Sequence, residues 1–191
     1  PGVYEIELGL PVEEFLFSDA YCGGMEDPRY NLKAVVAGGS SVPILPGPLF
    51  LKTAEGTPRL MSYESLSEGG FQTGTMLGSG GFIVFDERAC IVRNTWNFAR
   101  FYHHESCGQC SPCREGTGWM ERVLHKIEEG HGTLDDIELL WDIQSKIEGN
   151  TICPLGDAAA WPVASAIRHF RHEFEYHVQH PDKVKNRKHC E

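Results

Sequence analysis

The chain has 191 residues, of which 27 are acidic and 17 are basic, and its formal net charge at pH 7 is −10. Such an acidic chain is poorly suited to bind nucleic acid or an anionic membrane surface. Hydrophobic residues make up 41% of the chain, which is enough for a buried core and excludes wholesale disorder. No run of about 18 apolar residues is present, so we expect no direct insertion into a membrane.

The start of the chain has neither an initiator methionine nor a charged segment followed by an apolar one. The lack of such a leader gives no support to secretion. Because the sequence begins at Pro1, we expect a processed product or a piece of a longer protein.

The composition changes near residue 86, which predicts two domains of different architecture. Residues 1–86 contain glycine, proline and serine between short apolar runs, whereas residues 87–180 contain long stretches with helical periodicity. Residues 181–191 form a predicted basic tail, either a solvated end or a docking strand for another subunit.

Strands and one early helix are predicted in the first part, which indicates a small α+β unit. Tyr4, Ile6 and Leu8 alternate with two glutamates, a pattern that predicts a strand with one buried face. A short helix is expected from Pro11, because apolar residues recur at helical spacing after it. The other predicted strands are 32–37, 49–51 and 82–85.

Four helices are predicted in the second part, and the short connections between them favour antiparallel packing in a bundle. Asp86 is expected to cap the first, and Ser111 the second, with the following proline in its first position. Thr133 and Asp136 form a predicted capping pair for the third. Pro162 removes an amide donor early in the last helix, which is expected either to continue or to restart there. The predicted spans are about 87–105, 111–130, 133–147 and 157–178.

Seven cysteines occupy positions 22, 90, 107, 110, 113, 153 and 190. An odd number cannot close into a complete set of disulfides, and three of the seven lie within one short segment. A metal or redox centre therefore explains them better than a secreted disulfide framework, and we expect a reducing compartment.

Four of these cysteines have the spacing of a cluster-binding set. Cys107, Cys110 and Cys113 follow a repeat of three, and Cys153 lies 40 residues further along the chain. Three thiolates at that spacing can surround a compact inorganic core while a distant fourth closes it, as in 4Fe-4S clusters. A structural zinc site, the alternative, prefers two paired arms, whereas the second arm here offers one cysteine. The four available cysteines also argue against a cluster that leaves one iron open to substrate.

Both arms of this set are expected at helix N-termini. Cys113 falls in the first turn of the second predicted helix, and Cys153 lies just before the last one. Unpaired amides and the helix dipole favour a thiolate at such positions.

The remaining candidates have ordinary structural interpretations. His103 and His104 are interpreted as residues that offset a helix dipole. Arg114 and Glu115 either form a local ion pair or tune the potential of the cluster by charge. Three cysteines without a spaced partner are expected to be buried or tail residues: Cys22, Cys90 and Cys190.

Two glycine loops, at 38–41 and 78–81, suggest at first a phosphate-binding site. Neither follows the order of strand, glycine loop and helix that a dinucleotide site requires. Tight turns are therefore the expected structure.

The cysteine segments closely resemble a known family. The run ESCGQCSPCREG from Glu105, followed by CPLGDAAAWP from Cys153 and RHFR from Arg168, is similar to the flavin- and NADH-binding subunit of respiratory complex I. The segments PGVYE, GGSS, MSYE and MLGSGG in the first part also resemble that family. The resemblance covers nearly the whole chain.

The resemblance implies an α+β chain with a β-grasp domain of the soluble-ligand-binding type over 1–86 and a helical bundle over 87–180. It also implies one 4Fe-4S cluster bound by Cys107, Cys110, Cys113 and Cys153. In the family, that cluster accepts single electrons from FMN, which has taken a hydride from NADH, and passes them on towards quinone. The family binds FMN and NAD in a preceding domain that nothing here matches, so no catalytic residue is assigned.

Partners and location also follow from the resemblance. The expected partners are other peripheral-arm subunits, especially a thioredoxin-like 2Fe-2S subunit and a multi-cluster iron-sulfur subunit. The expected location is the cytoplasmic side of a bacterial inner membrane, or the matrix side of the mitochondrial one, as a peripheral subunit. Subunits of NAD-linked hydrogenases and formate dehydrogenases share this core, but some add further clusters after the bundle. Their absence here favours the respiratory enzyme.

Two other functions compete with electron transfer. In the first, a zinc ion only holds the helices together, and the chain is a binding module. In the second, the chain is a docking domain that holds neighbouring subunits in register.

Overall fold

The computed structural model describes residues 2–185 of the chain. The chain divides into two compact units, Pro1–Arg88 and Ala89–Glu191. The first unit combines short helices with a small sheet, and the second is helical. Within residues 2–185, no helix has both the length and the apolar character needed to cross a membrane.

A three-stranded antiparallel sheet lies in the first unit. Its strands are β1 (Leu32–Ala37), β2 (Leu45–Pro46) and β3 (Phe82–Asp86), in the spatial order β2-β1-β3. β1 is the central strand, and its last four residues are buried. The predicted strands at 32–37 and 82–85 are confirmed, whereas β2 was not predicted.

Four short helices accompany the sheet. They are α1 (Val12–Phe17), α2 (Gly47–Leu51), α3 (Tyr63–Ser67) and α4 (Gly70–Thr73). The helix predicted after Pro11 is α1, which has that proline at its N-cap. The buried core of this unit combines apolar residues from helices, strands and loops: Val12, Phe15, Leu16, Val35, Ala37, Leu45, Phe50, Met61 and Leu66.

Two of the predicted strands are wrong. Residues 2–7 form no strand, and Leu8 is 67% exposed. The alternating sequence provides one apolar face, but a strand also needs a neighbouring strand for its backbone hydrogen bonds, and this segment has none. Residues 49–51 belong to α2, because Pro48 in the first helical turn fixes a helical φ and has no amide to donate to a sheet.

Four long helices make up most of the second unit. They are α5 (Ile91–Glu105), α6 (Ser111–Glu128), α7 (Leu134–Ile147) and α8 (Leu155–Gln179), followed by the short α9 (Pro181–Lys185). Each long helix contacts the next along the chain, and α8 also contacts α5. Each buries one apolar stripe, which places the core between the helices.

The caps explain where the predicted helix boundaries hold and where they shift. Thr133 and Asp136 form a complete capping box on α7, as predicted. The first long helix begins four residues later than predicted, because Asp86 ends β3 and its carboxylate accepts from the Arg88 backbone instead. Ser111 is the first residue of α6 rather than its cap, which is Cys110.

The last long helix continues through Pro162 and does not restart there. The helical backbone is interrupted further on, at Phe170, where φ is −128° and ψ is 25°. Buried residues continue on both sides of the proline, so packing outweighs the loss of one amide donor.

The structure describes the first five residues of the predicted tail. Its residues 181–185 form α9, in which Val184 is buried. The rest of the predicted tail, with Cys190, lies outside the described residues.

Candidate iron-sulfur centre

The loop between α5 and α6 carries the first three cysteines of the predicted set. Cys107 is exposed in the loop, Cys110 is half-buried at the N-cap of α6, and Cys113 is buried in the first turn of that helix. Ser106, the C-cap of α5, braces the loop: its Oγ lies 3.2 Å from Cys113 Sγ and accepts a hydrogen bond from Gly108 N over 3.4 Å. The three thiols therefore share one short, turned segment.

The fourth cysteine of the set precedes α8. Cys153 is exposed and is followed by Pro154, the N-cap of that helix. Thr151 Oγ1 donates to the Cys153 carbonyl over 2.9 Å, and the neighbouring Ile152 amide donates to Cys110 Sγ over 3.4 Å. The structure thus brings the two predicted arms together through a hydrogen bond from the Ile152 amide to the sulfur of Cys110, a candidate ligand.

Two positive helix ends lie beside these thiols. Cys113 occupies the first turn of the 18-residue α6, and Cys153 lies just ahead of the 25-residue α8. The unpaired amides of a first helical turn, together with the helix dipole, stabilise negative charge. Thiolate ligands and an anionic cluster are favoured in this position.

Arg114 adds a positive charge at the edge of the loop. Its Nε donates to Glu115 Oε1 over 2.9 Å, and its Nη1 donates to the Gly108 carbonyl over 3.0 Å. The predicted ion pair is therefore present, and the same guanidinium also contacts the cysteine loop.

The four candidate cysteines are available as metal ligands. None of the six cysteines in residues 2–185 forms a disulfide. Four free thiols with amide donors nearby fit a 4Fe-4S cluster in donor type and number.

The two histidines beside the loop interact with protein groups. His103 and His104 lie in the last turn of α5. His104 Nδ1 is 2.9 Å from Glu105 Oε1. The ring of His103 packs against Gly118, where an added Cβ would meet Nε2 at 3.0 Å. These contacts agree with the interpretation of both as helix-end residues.

The glycine loops pack against one another. The amides of Gly38 and Gly39 both donate to the Gly81 carbonyl, over 2.9 and 3.1 Å. A Cβ on Gly38 would lie 2.4 Å from the Met76 carbonyl oxygen. Protein backbone therefore fills the space that a phosphate cradle would need, as in tight turns.

Two cysteines outside the set have different surroundings. Cys22 is half-buried in the first unit, and burial raises the pKa of its thiol. Cys90 is buried, as expected, but it caps α5 and its Sγ lies 3.3 Å from His177 Nε2. Sequence reasoning missed this contact because the two residues are 87 positions apart and no spacing rule connects them.

Residues 93–177 match a family model described as the NADH-ubiquinone oxidoreductase-F iron-sulfur binding region. The F 1 subunit of NADH-quinone oxidoreductase in Rhizobium meliloti (strain 1021) is 42% identical over 178 residues, and the F subunit in Rickettsia bellii (strain OSU 85-389) is 44% identical over 179. Over nearly all of its own length, the chain is therefore similar to F subunits of NADH-quinone oxidoreductase. The matched segment contains all four candidate cysteines.

The alignments to these two F subunits cover 93% and 94% of this chain but 38% and 40% of theirs. The chain therefore spans about two fifths of the length of the curated relatives that it matches. A solved structure of an NAD+-reducing [NiFe]-hydrogenase in the H2-reduced state is also similar, with a TM-score of 0.73 and 31% identity. That match covers 94% of this chain and 27% of the hydrogenase chain.

Proposed function

We propose that this chain is an electron-transfer module of an NADH:quinone oxidoreductase. In this proposal Cys107, Cys110, Cys113 and Cys153 bind one 4Fe-4S cluster. The main support is the Ile152 amide on Cys110 Sγ, because a cluster held by three neighbouring cysteines needs its fourth ligand beside them.

A bound 4Fe-4S cluster would take up and release one electron at a time. The residues of this chain set how favourable that step is. The helix ends beside Cys113 and Cys153 and the amide of Ile152 stabilise the added negative charge. Arg114 acts in the same direction through its charge. Each of these groups raises the reduction potential relative to a centre without it.

The surface at the second arm suits electron exchange with a partner. Cys107 and Cys153 are exposed, and Ile152 between the arms is 86% exposed. An apolar residue beside exposed ligand positions lets another protein approach closely and exclude water. The expected partners are the thioredoxin-like 2Fe-2S subunit and the multi-cluster iron-sulfur subunit of the peripheral arm.

In this proposal each unit of the chain has a family fold, and the flavin and NADH steps take place in another domain. The first unit is a β-grasp domain, and the four long helices of the second are a cluster-binding bundle. FMN and NAD belong to a preceding domain of the family, so this chain alone is not expected to oxidise NADH. The working location is the cytoplasmic side of a bacterial inner membrane, or the corresponding matrix side of the mitochondrial one.

The corresponding subunit of an NAD-linked hydrogenase is the second candidate. The fold similarity to the [NiFe]-hydrogenase supports it, but its 31% identity is below the 42% of the Rhizobium meliloti relative. A zinc-stapled binding or docking module is a third candidate, and the match of residues 93–177 to an iron-sulfur binding region argues against it.

Metal analysis tests the proposal. The chain is purified anaerobically, and its iron, acid-labile sulfide and zinc are measured. Its visible spectrum is recorded before and after reduction by dithionite. About four irons and four sulfides per chain, with a brown colour that dithionite bleaches, are expected. A colourless chain without iron, whose zinc is lost when Cys110 is changed to serine, would point instead to the stapled module. Cys22→Ser is the matched control and is expected to keep its iron.

A further inference from the structure

A second group of metal-binding side chains lies in the helical unit, away from the cysteine loop. Cys90 at the start of α5, Glu128 at the end of α6 and His177 near the end of α8 come together there. One donor atom from each lies within 4.8 Å of the other two. All three residues are buried, with 6%, 9% and 2% of their surfaces exposed.

The two nitrogens of the His177 ring face the other two residues of this group. Cys90 Sγ is 3.3 Å from His177 Nε2, and His177 Nδ1 is 3.6 Å from Glu128 Oε2. One ion can bind only one of these nitrogens. With Nε2 as the donor, its distance from Cys90 Sγ is close to the separation of about 3.6 Å between a nitrogen and a sulfur around a tetrahedral zinc ion. One carboxylate oxygen of Glu128 then has to move towards the ion from a starting point within 4.8 Å of the other two donors.

Charge and donor chemistry select the class of ion. A thiolate and a carboxylate carry two negative charges and attract a cation. A divalent cation neutralises them while the imidazole binds in its neutral form. The combination of sulfur, nitrogen and oxygen donors suits zinc and similar transition metals, whereas magnesium and calcium prefer oxygen alone.

Neighbouring contacts hold the donors in place. The Arg93 amide donates to Cys90 Sγ over 3.4 Å. Glu173 lies one turn before His177 on α8, and its Oε2 accepts from the Ile91 amide over 3.0 Å. This contact fixes the beginning of α5, and with it Cys90, against α8. Metal sites typically have such supporting hydrogen bonds around their ligands.

The group also has a route to solvent. Glu128 lines an open cleft of about 580 Å³, together with Arg93, Asn94 and Val184. A metal ion can enter from this cleft, and a water molecule can supply the fourth ligand of a site with three protein ligands.

We propose that Cys90, Glu128 and His177 bind one divalent transition-metal ion of the zinc class. The ion joins the beginning of α5 to the ends of α6 and α8. This site lies at the opposite end of α5 from the cysteine loop, about 22 Å away along a 15-residue helix. It is independent of the proposed cluster, and zinc itself takes no part in electron transfer.

Zinc and iron analysis of the same samples tests this proposal. The full chain, purified anaerobically with its iron, is incubated with zinc sulfate, passed over a chelating resin and analysed for both metals. One zinc per chain with unchanged iron is the expected result. A chain that keeps about four irons but binds no more zinc than a blank sample would overturn the proposal. Zinc bound by the cysteine loop would replace iron, so the iron content separates the two sites.

Variants assign the zinc to these residues. Cys90→Ser keeps an oxygen to cap α5, and His177→Gln keeps a polar side chain, yet both are expected to lose the zinc and retain iron. Cys22→Ser is the control that should retain both metals. If Cys90→Ser and His177→Gln bind as much zinc as the unchanged chain, the assignment is wrong.

Two further measurements decide the matter if either variant fails to fold. Glu128→Gln is nearly isosteric and is expected to weaken zinc binding about tenfold or more, as measured by competition with a chromogenic chelator. Unchanged affinity would contradict the assignment of Glu128. Cobalt in place of zinc is expected to add a thiolate-to-metal charge-transfer band to the difference spectrum of the unchanged chain. Absence of that band from a cobalt-loaded chain would exclude Cys90 as a ligand.

Discussion

The backbone amide of Ile152 donates a hydrogen bond to Cys110 Sγ over 3.4 Å, although the two residues are 42 positions apart. This contact places the second arm of the candidate centre against the first and leaves Cys153 adjacent to it. Amide donors to ligand sulfurs stabilise negative charge on a cluster, so the same contact supports both assembly and function.

Cys110→Ser is expected to lose most of the iron and to destabilise the helical unit by about 3 kcal/mol or more, because ligation and folding are coupled. Iron analysis and thermal unfolding followed by circular dichroism measure the two effects. Cys22→Ser provides the matched thiol substitution and should change neither. A Cys110→Ser chain with normal iron, visible absorbance and thermal midpoint would contradict the ligand assignment.

Asp136 gives the helical unit a predicted dependence on pH. Burial of the carboxyl would raise its pKa, but hydrogen bonds from Lys126 and Thr133 outweigh burial and lower the pKa below its usual value. The ionised Asp136 carboxylate therefore stabilises the folded state fully above a pH of about 3.9, the pKa of an unfolded aspartate. This stabilisation is lost as the pH falls through the lowered pKa of Asp136 in the folded state.

Asp136→Asn is expected to cost about 1 to 2 kcal/mol at neutral pH, because the ion pair with Lys126 is lost. The difference from the unchanged chain should shrink at acidic pH. Urea unfolding at several pH values from neutral to acidic measures it, with the exposed Asp135→Asn as control. Equal stabilities of the Asp136→Asn and unchanged chains at neutral pH would refute the prediction.

Arg59 is a buried cation that organises the first unit. Its Nη1 donates to the carbonyls of Ser65 and Leu66 over 2.7 and 3.2 Å, and its Nη2 donates to that of Thr73 over 3.0 Å. Arg59→Lys keeps the charge but cannot span these acceptors, so we expect a loss of about 2 to 4 kcal/mol. Thermal unfolding tests it against Arg29→Lys, an exposed control; identical midpoints for both variants would disprove the role of Arg59.

Gly38→Ala tests the close approach of the glycine loops. The residue has a φ of +109°, and an added Cβ would lie 2.4 Å from the Met76 carbonyl oxygen. We expect destabilisation of about 1 to 3 kcal/mol. Gly56→Ala has a positive φ of 83° but open space around it, so it isolates the backbone strain. A smaller effect at Gly38 than at Gly56 would show that the contact is unimportant.

The sequence predicted the features of this chain whose interacting residues lie within a few positions of one another. The capping box of Thr133 and Asp136 lies within four residues, and the apolar stripes of the long helices recur every three or four. The family motif likewise identified the cysteine loop before its geometry was known. For these features, one short segment contains both the signal and its physical cause.

Features that depend on distant partners were not predictable in this way. The alternation from Tyr4 to Leu8 could not reveal that residues 2–7 would form no strand. Nothing near Arg59 in the sequence indicates burial, because its acceptors are backbone carbonyls of α3 and α4 that the fold of the unit brings around it. Cys90 and His177 meet only because α5 and α8 pack together.

Electron paramagnetic resonance of the dithionite-reduced chain, with iron and sulfide measured on the same sample, tests the central claim most directly. The account predicts one unpaired electron for about four irons and four sulfides, and loss of the signal in Cys153→Ser. A sample whose four cysteines retain zinc, with no paramagnetic signal after reduction and no labile sulfide, would contradict it.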